Sequence, residues 1–316
     1  MGEVKASRQV TVFGGTGYLG GCAGRSLKNG GFRTVLASRD MTIAPDLRWA
    51  DLHARVCWED EHSIRKAILG SSTVVHAAGP DADACSMDPE GSTIRSGRDA
   101  RTIAEAAIAA GTERIIVIST VHAGAARPSA YGRVALARER AAESACLGSG
   151  TKVVVLRVAN CFGAPATRAP GCWKLAVNSM GLQAMRGREI RLTTDGSASR
   201  DFVPISDMAE CIRAMAALPT ERLAGGTIEA CSGRQRSILE MARLLRLRCE
   251  SLFGFTPAIR VGSSATPAQD GTPRPDPAAL NRLGIFLPDD PVPEIDALLR
   301  FCSTAEASPV ANEDPA

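Results

Sequence analysis

The sequence has few aromatic residues and few histidines, and it lacks the patterns typical of several enzyme classes. Aromatic residues form 4% of its 316 positions, with two tyrosines, and there are four histidines. The ten cysteines include no C-x-x-C pair, which in a chain without a secretion signal indicates reduced, mostly buried thiols. His53 and the Glu61-His62 pair have no second ligand pair at helical spacing, so no metal site is expected. No Gly-x-Ser-x-Gly turn is present to suggest a hydrolase.

Charge and hydropathy exclude two further kinds of partner. Lys and Arg number 37 against 34 Asp and Glu, a net charge of +3 with no basic block, so nucleic acid is not an expected partner. No apolar run approaches the ~18 residues that would span a bilayer, so no membrane partner is expected. The polar segment Met1–Gln9 is not typical of a signal peptide. We therefore expect a cytoplasmic protein.

The sequence does have a strand–turn–helix pattern near its start. The apolar run Val10–Phe13 meets three glycines, Gly14, Gly17 and Gly20, and a helical pattern continues through Leu27. Such a turn needs a residue free to adopt a positive φ, and the second glycine lets the backbone approach phosphates. The third lets the helix pack close to the strand, and the helix N-terminus presents unpaired N–H groups to an anion. We interpret the pattern as a dinucleotide pyrophosphate site; a tight turn without a ligand is the alternative.

Strand-like and helix-like segments alternate from this point on, which is typical of a parallel sheet with crossover helices. Strands are predicted at Gln9–Phe13, Arg33–Ser38, Thr73–Ala77, Arg114–Ser119 and Lys152–Val158. Helices are predicted at Tyr18–Asn29, Ile64–Leu69, Thr93–Ala110, Ala130–Leu147, Ile205–Leu218 and Ser237–Leu247. The small, polar residues of 303–316 predict a disordered tail.

Together these segments resemble the extended short-chain dehydrogenase/reductases of the NAD-dependent epimerase/dehydratase family, over about residues 8–290. The motifs that carry the resemblance are Gly14–Gly20, Val74–Ala78, Ile118–Thr120, Tyr131–Arg133, Leu156–Gly163 and Asp195–Ala209. The last, D-G-S-A-S-R-D-F-V-P-I-S-D-M-A, is the most specific of them. The resemblance implies an α/β fold with a Rossmann-type doubly wound parallel sheet in residues 1–165. A smaller C-terminal substrate-binding portion would occupy 166–302, interleaved with the first because the helix near 205–218 packs back on it.

The resemblance also implies a catalytic tyrosine, a Ser or Thr hydroxyl that binds the same substrate oxygen, and a lysine. Tyr131 is the candidate tyrosine, and Thr120 the candidate hydroxyl, with Ser119 as the alternative if the register differs by one. A free phenol titrates near ~10, so without help little phenolate exists at neutral pH.

The family's lysine is missing from this sequence. The fourth residue after Tyr131 shares its helix face, and it is Ala135. Arg133 and Arg138 follow Tyr131 by two and seven residues; only the second shares that face, and neither is an obvious substitute. Without a lysine, Tyr131 serves a reduction, which needs the protonated phenol, better than an oxidation, which needs the phenolate. A tyrosine that only packs, in a site that has lost its activity, is the alternative.

The end of the second strand predicts the choice between NADP and NAD. An acidic residue there binds the ribose of NAD, whereas NADP needs a cation for its extra phosphate. Ser38 stands at that position beside Arg39, and both side chains can donate to phosphate. The prediction is NADP, and Asp40 keeps NAD possible; a solvated turn is the other interpretation. By resemblance, Asp51 and Leu52 are assigned to the adenine, with an aspartate that is merely on the surface as the alternative for Asp51. The predicted cofactor-contacting residues are Gly14, Thr16, Gly17, Tyr18, Leu19, Ser38, Arg39, Asp51, Leu52, Ala77, Ala78, Gly79 and Tyr131.

Three residues match the family's substrate-binding positions. Asn160 lies in N-C-F-G, Arg200 in R-D-F and Arg274 in P-R-P-D. The resemblance implies that both arginines reach a nucleotide diphosphate, which suits the paired donors of a guanidinium. A salt bridge to Asp201 or Asp207 is the structural alternative for Arg200.

The first hypothesis is an NADPH-dependent ketoreductase that acts on a keto group of a nucleotide-activated sugar or a similar polyhydroxylated metabolite. An NAD-dependent sugar-nucleotide epimerase or dehydratase is the second. The third is a dinucleotide-binding protein without redox activity. A homodimer is expected, because relatives pair through the helices at Thr93–Ala110 and Ala130–Leu147.

Overall fold

The apolar runs of the sequence form one parallel sheet. A computed structural model describes residues 8–39, 47–166, 170–223, 225–263 and 273–304. The strands are β1 (Gln9–Phe13), β2 (Arg33–Ser38), β3 (Leu52–Arg55), β4 (Ser71–His76), β5 (Arg114–Thr120), β6 (Lys152–Val158), β7 (Asn160–Phe162), β8 (Glu189–Arg191), β9 (Ser199–Pro204), β10 (Gly226–Ala230), β11 (Gln235–Ser237) and β12 (Ala258–Arg260). The main sheet has the order β10-β6-β5-β4-β1-β2-β3, and every neighbouring pair is parallel. The predicted Rossmann-type doubly wound α/β fold is confirmed.

Helices cover both faces of this sheet. They are α1 (Tyr18–Asn29), α2 (Glu61–Ile68), α3 (Ala82–Met87), α4 (Pro89–Ala109), α5 (Ala130–Cys146), α6 (Ala176–Gly187), α7 (Ile205–Ala217), α8 (Ile238–Phe253), α9 (Ala278–Arg282) and α10 (Val292–Cys302). On one face, Val10 and Val12 of β1 pack in one cluster with Leu27 of α1 and Ile212 of α7. On the other face, α2, α4 and α5 supply the apolar side chains. None of the helices in the described ranges combines the length and apolarity needed to cross a bilayer.

The smaller portion of the chain is interleaved with the larger one. A third apolar cluster joins α6, α8 and α10, and two short sheets, β11-β9-β7 and β12-β8, lie in this part. Yet α7 packs against α1, and β10 pairs with β6 as the outermost strand of the main sheet. A boundary near residue 165 therefore does not separate two independent units.

Some predicted element bounds differ from the structure, since α4 begins four residues before the predicted Thr93 and α8 continues six residues past the predicted Leu247. The strands β3 and β7 to β12 and the helices α3, α6, α9 and α10 were not predicted. Ser303 and Thr304 close the last turn of α10, because their hydroxyls donate to the carbonyl oxygens of Arg300 and Phe301. The predicted disordered tail is thus wrong for these two residues, and its remainder, 305–316, lies outside the described residues.

Candidate active site

The glycine turn after β1 is packed so closely that side chains are excluded. Gly14 has a φ of +79°, and a Cβ atom there would lie 2.8 Å from the backbone nitrogen of Ala78. A Cβ atom on Gly20 would lie 2.2 Å from the carbonyl oxygen of Gly14. The Gly17 amide donates to that same oxygen at 2.9 Å. The turn, the first turn of α1 and the end of β4 therefore form one tight backbone cradle.

This cradle fits the pyrophosphate of a dinucleotide. It lies at the carboxyl end of β1, between β2 and β4, where the order of the strands reverses, and ligands of doubly wound sheets bind at that point. Gly17, the N-cap of α1, has no side chain to accept from the first amides of the helix, and amides at a helix N-terminus bind anions. The hydroxyls of Thr16 and Ser38 are 2.7 Å apart and tie the turn to the end of β2.

Charged side chains surround a cavity of about 190 Å³ beside this cradle. Arg39 follows β2 and lines the cavity, together with Gly79 after β4. Two further arginines come from α4: Arg95, which pairs with Asp88 at 2.8 Å, and Arg98, which pairs with Asp99 at 2.9 Å. The remaining lining residues are Trp58, Glu59, His76, Ala78, Pro80, Ser92, Ser96 and Asp99. Asp40, which kept NAD possible, lies outside the described residues.

Asp51 and Leu52 lie at the opposite edge of the sheet from the cradle. Asp51 accepts hydrogen bonds from Nζ of Lys28 at 2.6 Å and from the Thr34 amide at 2.9 Å. Leu52 pairs with Val35, near the start of β2. Because parallel strands begin at the same edge, the predicted contact of this pair with the adenine is wrong: Leu52 begins β3 and does not follow a strand.

The two candidate hydroxyls at the end of β5 have different partners. Ser119 donates a hydrogen bond to Glu139 of α5, and that carboxylate also binds Arg157 at 2.6 and 2.9 Å. The Ser119 proton is therefore committed to a buried ion pair. Thr120 only accepts, from the His122 amide at 3.3 Å, so its proton has no acceptor within the described part of the chain. The geometry favours Thr120 over Ser119 as the hydroxyl that binds substrate.

Tyr131 stands in the first turn of α5, close to the end of β5. Ser129 caps this helix by accepting the Gly132 amide at 3.3 Å. A Cβ atom on Gly132 would lie 2.8 Å from the carbonyl oxygen of His122, so the helix start is pressed against the segment that follows Thr120. Burial raises the pKa of Tyr131, and the nearby charge of Arg138 opposes that rise.

Arg138 is a site residue that sequence reasoning set aside. Its side chain is buried, and its Nε donates to Ser96 of α4 at 3.2 Å and its Nη1 to the carbonyl oxygen of Ile118 at 3.0 Å. Arg133 instead donates to the carbonyl oxygen of Pro128 at the helix start. The sequence feature that could have identified Arg138 is its spacing of seven residues from Tyr131, which places both residues on the same face of α5.

The predicted substrate residues Asn160 and Arg200 are brought together beside His122. Burial and the charge of Arg200 lower the pKa of His122, and a hydrogen bond from the imidazole to the side chain of Asn160 opposes this. The Asp201 carboxylate accepts from the Ser232 amide at 3.1 Å and from the Gly233 amide at 2.8 Å, which fastens the loop after β10. The wall formed by His122, Asn160 and Arg200 can therefore meet a substrate that reaches Thr120.

Arg274 is exposed, and it lies in the segment that leads into α9. The neighbouring Pro273 accepts a hydrogen bond from Gln235 at 3.4 Å, and the Asp276 amide donates to Glu229 at 2.8 Å. These contacts fix the segment beside β10 and β11 but bring no described partner to the Arg274 guanidinium.

Tyr18 connects the cofactor cradle with the smaller portion of the chain. Its hydroxyl donates to the carbonyl oxygen of Gly163 at 3.0 Å, and Asn178 donates to the same oxygen at 2.9 Å. Burial raises the pKa of Tyr18 well above its usual value. Leu19, the next predicted cofactor residue, packs on the apolar cluster under α1. The side chains of both residues thus have structural contacts, and only their backbone lies in the cradle.

Comparisons with known proteins agree with this geometry. A model of the NAD dependent epimerase/dehydratase family matches residues 10–231. A UDP-glucose 4-epimerase of Azospirillum brasilense is 26% identical over 273 residues, which cover 77% of this chain and 78% of the relative. A dTDP-L-rhamnose 4-epimerase of Burkholderia thailandensis is 33% identical over 117 residues, 37% of this chain and 31% of the relative.

Among solved structures, that of MoeE5 in complex with UDP-glucose and NAD superimposes with a TM-score of 0.73. Its sequence is 22% identical, and the match covers 93% of this chain and 98% of that chain. At this identity the likeness establishes the fold.

Proposed function

Because the chain belongs to the NAD-dependent epimerase/dehydratase family, we propose that it is an NAD-dependent epimerase of a nucleotide sugar. The observation that carries the proposal is the position of His122, which donates its amide to Thr120, lies beside Asn160 and Arg200, and is packed against the helix start that holds Tyr131. Relatives named as 4-epimerases of UDP-glucose and dTDP-L-rhamnose support the substrate class.

The chain's own residues would hold the cofactor and move the proton. Gly14, Gly17 and the first turn of α1 would bind the pyrophosphate, and Arg39, which lines the neighbouring cavity, would meet the nucleoside. A bound NAD would supply the acceptor and later the donor of the hydride that the sugar carbon loses and regains. Tyr131 takes the proton of the sugar hydroxyl as that carbon is oxidised and gives it back on reduction. Thr120 donates a hydrogen bond to the same oxygen and holds it in place.

Arg200 would bind the diphosphate of the substrate. A guanidinium offers paired, charge-assisted donors to phosphate, and burial lowers the pKa of Arg200 without depriving it of its charge at neutral pH. Asn160 and His122 lie between this arginine and Thr120, so they are placed to meet the sugar. Arg274 is proposed as a second diphosphate contact from the segment before α9.

The test is incubation of the purified protein with UDP-glucose and NAD, followed by product analysis by NMR and by absorbance of the reduced cofactor. An epimerase changes the configuration of the sugar without net reduction of NAD. Tyr131→Phe should lower the rate by about 10²- to 10⁴-fold, whereas Arg133→Ala, on the same helix, should leave it unchanged. Tight binding of cofactor with no change in any of a panel of nucleotide sugars would contradict the proposal and favour a non-redox binding protein.

An NADPH-dependent ketoreductase is the second candidate, and one observation favours it. Burial raises the pKa of Tyr131, which suits a proton donor, and Ala135 stands where the family has its lysine. The two candidates differ in stoichiometry, since a ketoreductase consumes one NADPH for each keto sugar. Fluorescence titration with NADPH and NADH also separates them, because preference for NADPH requires Arg39 or another cation to bind the extra phosphate.

We also propose a homodimer formed through α4 and α5. Ile94 on α4 and Leu147, which follows α5, are 64% and 88% exposed, so the same helices of a partner would cover both. Light scattering should give twice the chain mass of 33.1 kDa. An Ile94→Glu variant that leaves this mass unchanged would argue against these helices as the interface.

A further inference from the structure

A buried arginine lies two helical turns beyond Tyr131 on the same face of α5. Arg138 is 8% exposed, and its guanidinium is bound from two directions, by the Ser96 hydroxyl of α4 and by the carbonyl oxygen of Ile118 in β5. Burying an arginine is costly unless its charge has a use. The ion pair between Glu139 and Arg157 lies one residue further along α5, so Glu139 is already occupied.

A glycine in the cofactor cradle makes room for this guanidinium. A Cβ atom on Gly79 would lie 1.9 Å from Nη2 of Arg138 and 2.8 Å from its Cζ. Gly79 directly follows Ala77 and Ala78, which border the glycine turn. No acceptor within the described ranges meets Nη2, so these donors remain available at the edge of the cradle.

Among the ionisable groups whose charges influence the pKa of Tyr131, Arg138 is the cation. The other groups are Cys85 of α3, Cys161 of β7 and Asp81, which caps α3. Burial raises the pKa of both thiols, that of Cys161 to about 12, so they are neutral at physiological pH. His76 of β4 faces the arginine, and burial keeps this imidazole neutral by lowering its pKa.

We propose that Arg138 is the cation that stabilises the ionised phenol of Tyr131, from two helical turns away, in place of the lysine that Ala135 replaces. It acts through Tyr131 and is therefore a positioning residue. The inference rests on the proposed function in one respect, since a phenolate is required only if Tyr131 removes a proton from substrate.

The presence of only two tyrosines makes a direct test possible. Protein that carries Tyr18→Phe and is labelled with fluorotyrosine has a single fluorine resonance, from position 131, and fluorination makes the phenol acidic enough to titrate before alkaline unfolding. Arg138→Met should raise the pKa of this phenol by at least about one unit. Arg138→Lys should keep it close to the parent value, and Ala135→Lys combined with Arg138→Met should return it toward that value.

Two results would overturn the proposal. One is an unchanged titration in Arg138→Met, when its circular dichroism and melting temperature match those of Arg138→Lys. The other is a shift that Ala135→Lys does not reverse, because the cause would then be lost packing against Ser96 and Ile118. The titration needs no turnover, so an inactive protein with the expected titration refutes the proposed function alone. In an active enzyme, Arg138→Met should also move the pH midpoint of kcat upward.

Discussion

Replacing the two neighbouring hydroxyls at the end of β5 should separate catalysis from stability. Thr120→Val removes a hydroxyl with little change of shape. That hydroxyl makes one weak internal hydrogen bond, as acceptor from the His122 amide at 3.3 Å, so the fold should lose little. If Thr120 donates to the oxygen on which charge develops, its removal costs about 3–4 kcal/mol of transition-state stabilisation, a rate loss of about 10²- to 10³-fold.

Ser119→Ala should have the opposite result. It leaves a buried oxygen of Glu139 without one of its donors, which costs about 1–3 kcal/mol. With an unfolding entropy of about 2.1 cal/mol/K per residue over 316 residues, the melting temperature should fall by about 2–5 °C. The rate should stay within about threefold of the parent, because the hydroxyl does not reach the substrate.

The assay is kcat for nucleotide-sugar interconversion, measured with the melting temperature of the same preparations. Thr120→Ser is the matched control, because it retains a hydroxyl and should retain most of the rate. A Thr120→Val enzyme with nearly full activity, together with a Ser119→Ala enzyme that has lost it, would refute the assignment of the two hydroxyls.

Three further outcomes follow from the structure. Gly20→Ala should weaken cofactor binding at least about tenfold and destabilise the fold by about 1–3 kcal/mol, because its Cβ would collide with Gly14; Gly187→Ala, with open space around it, should do neither. Arg200→Met should raise KM by about 10- to 100-fold with a smaller change in kcat. Burial and nearby carboxylates raise the pKa of Asp207 to about 6, so the contribution of this carboxyl group to stability should increase as pH falls from about 6 toward 4. Asp207→Asn should remove this dependence and, after allowance for partial exposure, be more stable above pH 6 by about 1 kcal/mol in urea unfolding.

Much of the fold could be predicted because its signals are local. The runs Gln9–Phe13 and Lys152–Val158 are apolar, end at turn residues and form strands with the predicted bounds. The strand β3 could not be recognised, because three of its four side chains are exposed at the sheet edge and it has no apolar alternation. Because β3 was not recognised, Asp51 was assigned to the end of a strand, whereas it directly precedes the first residue of β3.

The candidate site was less predictable, because its chemistry depends on contacts between distant segments. The sequence placed Ser119 and Thr120 side by side and could not say which hydroxyl is committed elsewhere, since Glu139 is 20 residues away from Ser119. Arg138 could not be assigned either. The Arg138 side chain fits where it does because Gly79 has no Cβ atom. Hydrophobic periodicity does not predict such a contact between distant segments.

The position of β10 constrains how this protein can fold while it is being synthesised. The outermost strand of the nucleotide-binding sheet is Gly226–Ala230, and it pairs with β6 across about seventy intervening residues. A ribosome that has released only the first 165 residues has therefore delivered a sheet with one edge of β6 unpaired and with no α7 over α1. Such an intermediate exposes a buried, valine-rich strand to other chains. Expression of residues 1–165 alone should accordingly give aggregates, and folding of the complete protein should depend on how fast residues 166–230 emerge from the ribosome.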